Sequence, residues 1–262
     1  MSEMDSYKRV CEQAARAGGA VLLDWAGRFA VREKGRSDLV TEADLASQEI
    51  IQKTLLDAFP GHGFLAEEDA FVESRDRGLR WIVDPLDGTT NYVHGVPGFV
   101  VSIALVQETR VLVGVVYDPS RDECYLASAG GGAFLDDRRL QVSGVQSLSQ
   151  ALVGESFPPG IQRHDAEIKR SIEVLIRCQG TRRTGSTALN LCYVAAGRFD
   201  AYWTLSTHPW DVAAGSLLVQ EAGGLVSDVN GGPLDLDRPK LVAVSTAALG
   251  REFCEVLRQV IN

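Results

Sequence analysis

The chain has 262 residues, 45% hydrophobic and 23% charged, a globular balance that allows a well-buried core in one large domain or two intimate halves. Its net charge of -9, from 35 acidic and 26 basic residues, argues against general nucleic-acid binding, which needs a basic face. Five scattered cysteines without a CxxC pair, and four histidines without an HxxxH spacing, argue against a disulfide framework and a histidine-rich zinc site.

The opening segment MSEMDSYKRV lacks the apolar stretch of a secretory signal. No run of about 18 apolar residues marks a membrane span, so a soluble, cytoplasmic protein is expected. Residues 5–26 predict a helix, because Val10, Ala14, Ala17 and Val21 recur on one face. Gly35 to Leu39 reads as a polar loop, with Lys34 and Arg36 in it, and a second helix starts near Thr41 and stops at Pro60-Gly61. An acid-rich loop leads to a short strand, Trp81-Ile82-Val83, that ends at Asp84-Pro85. Strands follow at 100–106, 111–117, 124–127 and 133–135, then a turn at Asp136-Asp137 before Leu140 to Val142. From about residue 150 strands alternate with helices. Strands are predicted at 151–154, 200–203, 225–226 and 241–244. Helices are predicted at 165–176, 186–196 (Ser186 as cap, Gly197 just past the end), 211–222 and 248–260. This order predicts a layered α/β (α+β) sandwich with a soft boundary near residue 147, dividing 1–147 from 148–262.

The most informative stretch is WIVDPLDGTTN, residues 81 to 91. A buried strand delivers Asp84, Pro85 turns the chain, and Asp87 follows with Gly88, Thr89 and Thr90 at an expected helix start. Two carboxylates on one tight turn ionise together cheaply only around a cation, and hard oxygen donors favour magnesium. The backbone amides of Gly88 and Thr89 suit a phosphate oxygen, and glycine lets the backbone approach a bulky anion. Asp-Pro-x-Asp-Gly is equally well explained as a plain turn. A calcium EF-hand is excluded by Gly95 at the twelfth position. Two residues between the acids, rather than one, favour attack by metal-activated water over a phospho-aspartate.

Three other segments are each ambiguous. Glu67-Glu68-Asp69 reads as a solvated acidic run. Asp44, three residues after Thr41 in SDLVTEAD, reads as a first-turn acid of a capped helix. Asp211, after Trp210, reads as a helix N-cap.

Their joint order is specific. LVTEAD, the acidic pair of AEED, WIVDPLDGTTNYVHG, GSTALNLC and PWDVAAG…EAGG, from about residue 7 to 247, resemble the inositol monophosphatase family of lithium-sensitive phosphatases. The resemblance implies a five-layer αβαβα sandwich, usually a homodimer, that hydrolyses a small phosphomonoester with two or three magnesium ions. It implies that Glu67, Asp84 and the Leu86 carbonyl hold one ion and that Asp84, Asp87 and Asp211 hold a second, with a third near Glu67. Asp44 and Thr89 would activate the attacking water. Asp87, Gly88, Thr89, Ser186, Thr187 and Asp211 would face the substrate.

Two departures touch the substrate. Thr204 stands where inositol-specific members carry a glutamate that contacts inositol hydroxyls, and Thr187 stands where a small alanine is usual. Inositol 1-phosphate or a similar polyol or sugar phosphate is the first expectation. Histidinol phosphate, fructose 1,6-bisphosphate, NADP and 3′-phosphoadenosine phosphate are the alternatives. A further alternative is a regulatory partner of the transcription machinery with incidental catalysis. Direct nucleic-acid binding and membrane association are not expected.

Overall fold

In the computed structural model of the chain, which describes residues 2–28, 30–35, 38–68 and 70–259, helix α1 (Glu3–Trp25) starts from a reciprocal cap. The Ser2 hydroxyl accepts from the Asp5 amide, and the Asp5 carboxylate accepts from the Ser2 amide. Two amides that a helix start leaves over are thereby satisfied. Arg36, Asp69 and Val260, which the sequence reading placed in the polar loop, the acidic run and the last helix, lie outside the described residues. Within the expected loop, β1 (Val31–Gly35) and β2 (Asp38–Thr41) pair antiparallel as a separate hairpin. Polar composition read as loop because pairing, rather than propensity, makes this strand pair. Thr41 then caps α2 (Glu42–Ala58).

The first sheet is built from β3 (Gly63–Ala66), β4 (Phe71–Val72) and β5 (Leu79–Asp87), then, after the short helix α3 (Thr89–Val93), from five more strands. These are β6 (Val100–Gln107), β7 (Arg110–Asp118), β8 (Glu123–Ser128), β9 (Gly132–Leu135) and β10 (Arg138–Arg139). Its order is β10-β9-β8-β7-β6-β5-β3-β4, antiparallel except where β3 runs parallel to β5. The second half adds β11 (Leu152–Glu155), α4 (Ala166–Leu175), β12 (Gly180–Arg182), α5 (Thr187–Ala195), β13 (Ala201–Thr204) and α6 (Pro209–Glu221). It ends with β14 (Leu225–Ser227), β15 (Leu241–Val244) and α7 (Ala247–Gln259). The second sheet has the order β12-β11-β13-β15-β14.

These elements stack as α1 and α2, the eight-stranded sheet, α5 and α6, the five-stranded sheet, then α4 and α7. This is the five-layer αβαβα sandwich that the resemblance implies. Strand alternation distributes side chains between the layers. On β5, Trp81 and Val83 join Leu22, Ile51 and Leu55 in the outer core, while Ile82 faces Leu191 and Leu218 in the central one. On β13, Tyr202 faces the centre and Trp203 packs with Phe253 and Leu257 on the far side. Strands buried on both faces read as unbroken apolar runs, which is why WIV was legible. Gly114 lets α6 rest directly on β7, since a Cβ there would lie 2.8 Å from the Ala214 carbonyl oxygen and 2.9 Å from its Cα.

Four local expectations change. The strand at Trp81 does not stop at Asp84 but continues through Pro85 to Asp87, with Asp84 opposite Ser102 and Asp87 opposite Val100. The extra residue is a bulge, the one place inside a sheet where a proline without an amide proton fits. Residues 63–66, read as loop, form β3. Leu140 to Val142 extends no strand; the Val142 amide donates to the Ala222 carbonyl, 3.1 Å away. Helix α6 starts at Pro209, so Asp211 is its third residue and His208 its N-cap.

Candidate active site

The β5 bulge fixes the centre of the site. Asp84, 1% exposed, accepts at Oδ1 from the Leu86 amide at 2.9 Å. The carbonyls around it are held by hydroxyls, with Ser47 donating to Pro85 at 3.1 Å and Thr89 donating to Leu86 at 3.1 Å. Gly88, the N-cap of α3, sits at φ +99°, and a Cβ there would lie 3.0 Å from the Gly98 carbonyl oxygen. Both the left-handed conformation and the close approach require glycine.

Two more helix starts converge here. Asp87 Oδ2 accepts from the Ser186 hydroxyl at 2.7 Å and from the Ala188 amide at 2.6 Å, at the N-terminus of α5. That end of a helix favours an anion. Asp211 Oδ2 accepts from the Thr207 hydroxyl at 2.6 Å and the His208 amide at 2.8 Å. The Trp210 carbonyl accepts from Ser102 on β6, which anchors the start of α6 to the first sheet. Glu67 follows β3, its amide bonded to the Val83 carbonyl.

The electrostatics show that these acids are neighbours. Burial first, then the charges of Glu67, Asp87 and Asp211, push Asp84 well above the usual carboxylate range. Burial and then Asp211 raise Asp87 to about 7, against the opposing pull of its Ser186 and Ala188 bonds. Asp44 stands on α2, its Oδ2 accepting from the Thr41 amide at 2.9 Å and from the Thr41 hydroxyl. Burial raises it to about 6, and Glu68 adds to the effect. Its Oδ1 is buried with no hydrogen-bond partner among the described residues.

Glu67, Asp84, Asp87 and Asp211 are therefore brought together, whereas no hydrogen bond among the described residues joins Asp44 to Thr89. A cleft of about 910 Å³ opens over the group, with Glu67, Asp87, Asp211 and Thr187 among the residues that line it. Thr204, expected beside the leaving alcohol, is fully buried and donates to the Ser206 carbonyl at 3.3 Å. So short a side chain at the end of β13 stays beneath the turn that follows, and Ser206 and Thr207 line the cleft instead. Sequence reasoning gave no role to Asn91, which ties α3 to the α5 approach by donating to the Gly98 and Thr184 carbonyls at 2.8 Å each. Its place in the DGTTN run was the available signal. It also missed the loop Phe157-Pro158-Pro159-Gly160-Ile161 and gave Arg183 no role, though all of these border the cleft.

Among the described residues, no three His, Cys, Asp or Glu side chains stand ready to hold a metal ion. One oxygen each of Asp84, Asp87 and Asp211 accepts from a nearby backbone amide, which leaves the second oxygen of each free of that bond. The donor chemistry nevertheless fits a hard divalent cation. The oxygens are carboxylate, buried and mutually repelling, and no basic side chain is among the main groups that shift Asp84 or Asp87.

A five-layer sandwich that collects acids at the end of a central strand, beneath a wide cleft, defines an enzyme that hydrolyses phosphate monoesters. The chain belongs to the inositol monophosphatase family, whose description it matches over residues 3–262. Enzymes of this family are in general metal-dependent. The chain is 45% identical over 235 residues to an inositol-1-monophosphatase of Mesorhizobium japonicum, covering 88% of each chain. It is 43% identical over 251 residues to the Nus factor SuhB of Pseudomonas aeruginosa, covering 93% of each. The crystal structure of the extragenic suppressor protein suhB from Bartonella henselae superposes with a TM-score of 0.91 at 39% identity, covering 96% of this chain and 98% of that one. No helix among the described residues is long and apolar enough to cross a membrane.

Proposed function

We propose that the chain hydrolyses a small phosphomonoester, inositol 1-phosphate or a similar polyol or sugar phosphate, with two or three magnesium ions and an activated water. The observation that carries this reading is the set of four acids gathered at the end of β5 under an open cleft, where the charges of Glu67, Asp87 and Asp211 bear on the buried Asp84. Glu67, Asp84 and the Leu86 carbonyl would hold one ion, Asp84, Asp87 and Asp211 a second, and a third would lie near Glu67. When bound, the ions supply neutralisation of the phosphate, acidification of the attacking water and stabilisation of the leaving alkoxide.

The chain's own residues position the rest. Asp44 presents the unpartnered Oδ1 that a water proton needs, while its other oxygen is fixed by Thr41. Thr89, anchored on the Leu86 carbonyl, orients that water. The amides at Gly88 and Thr89 face the phosphate, and Ser186 holds Asp87 in place. Thr187, its hydroxyl bonded by Tyr202 at 3.0 Å, borders the leaving group.

The test is phosphate release from inositol 1-phosphate, histidinol phosphate, fructose 1,6-bisphosphate, NADP and 3′-phosphoadenosine phosphate, with magnesium, with EDTA and with lithium. Release that needs magnesium and is inhibited by lithium supports the reading, and kcat/KM ranks the substrates. No release from any ester by a folded, magnesium-binding protein overturns it.

A second reading has support in the relatives named Nus factor SuhB. In it the chain is a cytoplasmic homodimer that contacts the transcription machinery. Stoichiometric recovery of RNA polymerase on Asp87→Asn protein would favour that role, since catalysis would then be dispensable to it.

A further inference from the structure

The charged residues that border the cleft are of two signs: the acids Glu67, Asp87 and Asp211, and the base Arg183. Arg183 lies three positions before Ser186, whose hydroxyl holds Asp87. Even a fully extended chain keeps its Cα within roughly 10 Å of that of Ser186. Its guanidinium carbon stands 5.4 Å from the Phe157 ring centroid, an aromatic contact that limits where the planar head can point. Behind it lies Glu155, 6% exposed, with Oε1 accepting from the Ser171 hydroxyl at 3.1 Å. Glu155 is close enough for the arginine to counter part of the effect of burial on its carboxyl. No ion pair within 4.0 Å joins the two among the described residues, so the guanidinium keeps its donors for a ligand. The acid contact to sugar hydroxyls that the resemblance leads one to expect is missing as well, because position 204 is a threonine, and a buried one.

We propose that Arg183 forms a second anion subsite, so that the preferred substrate is a phosphorylated polyol or sugar carrying another phosphate or a carboxylate away from the scissile ester. This rests on the phosphatase reading above and narrows its substrate class. A guanidinium fits either anion in a two-pronged contact, while a neutral hydroxyl end would leave its charge unanswered.

Three esters that share a six-carbon skeleton separate the possibilities: sorbitol 6-phosphate with a neutral far end, 6-phosphogluconate with a carboxylate, and fructose 1,6-bisphosphate with a phosphate. With magnesium, kcat/KM for at least one of the two anion-ended esters is expected to exceed that for sorbitol 6-phosphate by about tenfold or more, the worth of one charged hydrogen-bond contact. Which of the two is favoured identifies the second anion. In Arg183→Gln that ratio is expected to collapse towards one, chiefly through KM, and Arg183→Lys is expected to restore part of it. Arg183 is exposed and outside any helix or strand, so both variants should fold, and Arg183→Lys, which keeps the charge near Glu155, should stay close to the wild-type melting temperature. A wild-type ratio near one, with sorbitol 6-phosphate hydrolysed, overturns the subsite and leaves the phosphatase reading intact. A preference that survives in Arg183→Gln also overturns it. Failure of wild-type protein to hydrolyse any of the three overturns the subsite, and removes the phosphatase reading as well only if inositol 1-phosphate and the other esters named above are also left intact.

Discussion

Replacing Asp87 by asparagine separates what the carboxylate does for the fold from what it does for the reaction. Its Oδ2 accepts two bonds, from Ser186 at 2.7 Å and Ala188 at 2.6 Å. The amide oxygen of asparagine can accept both, so the anchoring survives. What is lost is a buried negative charge that burial and Asp211 disfavour strongly enough to raise its pKa to about 7. Relieving an uncompensated buried charge is worth about 2 kcal/mol at the low end, or roughly 4–8 °C for a chain of this size. In EDTA at about pH 8, Asp87→Asn should therefore melt above wild type. In saturating magnesium the order should invert. Wild type gains about 2.7 kcal/mol for each ion held at a hundred times its Kd, and the variant forfeits the share of the second ion, whose ligand set contains Asp87. Turnover should fall by about a thousandfold or more, the scale on which losing preorganised charge stabilisation is felt. The assays are thermal melts with and without magnesium, beside phosphate release. A variant with the same magnesium-dependent rise in Tm as wild type, or with turnover within about tenfold of it, would refute the assignment.

Asp44 is held up at about 6 against an ordinary 3.8, mainly by burial, so the folded state binds its proton more tightly than the unfolded one. Its destabilising effect is absent below about pH 4 and fully present, roughly 3 kcal/mol, above about pH 6; in denaturant melts of metal-free protein wild type should gain on Asp44→Asn as pH falls through that window, and a pH-independent difference would refute this. Gly114→Ala would push a methyl against the Ala214 backbone at 2.8 Å, so stability should drop by about 1–3 kcal/mol. An unchanged denaturation midpoint would show that α6 does not rest on β7 as described. Ser186→Ala removes both the cap of α5 and one donor to Asp87, and should lower stability by about 1–2 kcal/mol and turnover by about tenfold. If both stay at wild-type values, the Ala188 amide alone sets Asp87.

Much of the layering was legible because α1 and α2 carry periodic apolar faces, α5 lies between a serine cap and a glycine stop, and β6 and β7 are long apolar runs. What was not legible depends on pairing across the chain. Residues 63–66 become a strand because β5 lies beside them, and the bulge at Pro85 exists because Asp84 and Asp87 must both keep register with β6. Neither partner is visible in the local sequence. The cleft walls were illegible for a related reason. Whether Thr204 faces solvent is decided by the face of β13 it occupies and by the turn above it, and Arg183 borders the cleft only because the β12 to α5 segment is tied back to Asn91.

The acids themselves were visible, yet each looked like something ordinary, and the structure explains why. Asp44 and Asp211 are third residues of α2 and α6 and accept from the backbone at their helix starts, just as capping acids do. Asp87 caps another helix, α5, from outside its sequence. Capping and site-building are thus the same bonds: an amide that fixes one carboxylate oxygen satisfies a helix end and also sets the direction of the other oxygen. Local sequence cannot separate the two roles, because at each position both are true. Only the meeting of these helix starts around the end of β5, with Asp84 and Asp87 in between, turns isolated caps into a charge cluster that needs a cation.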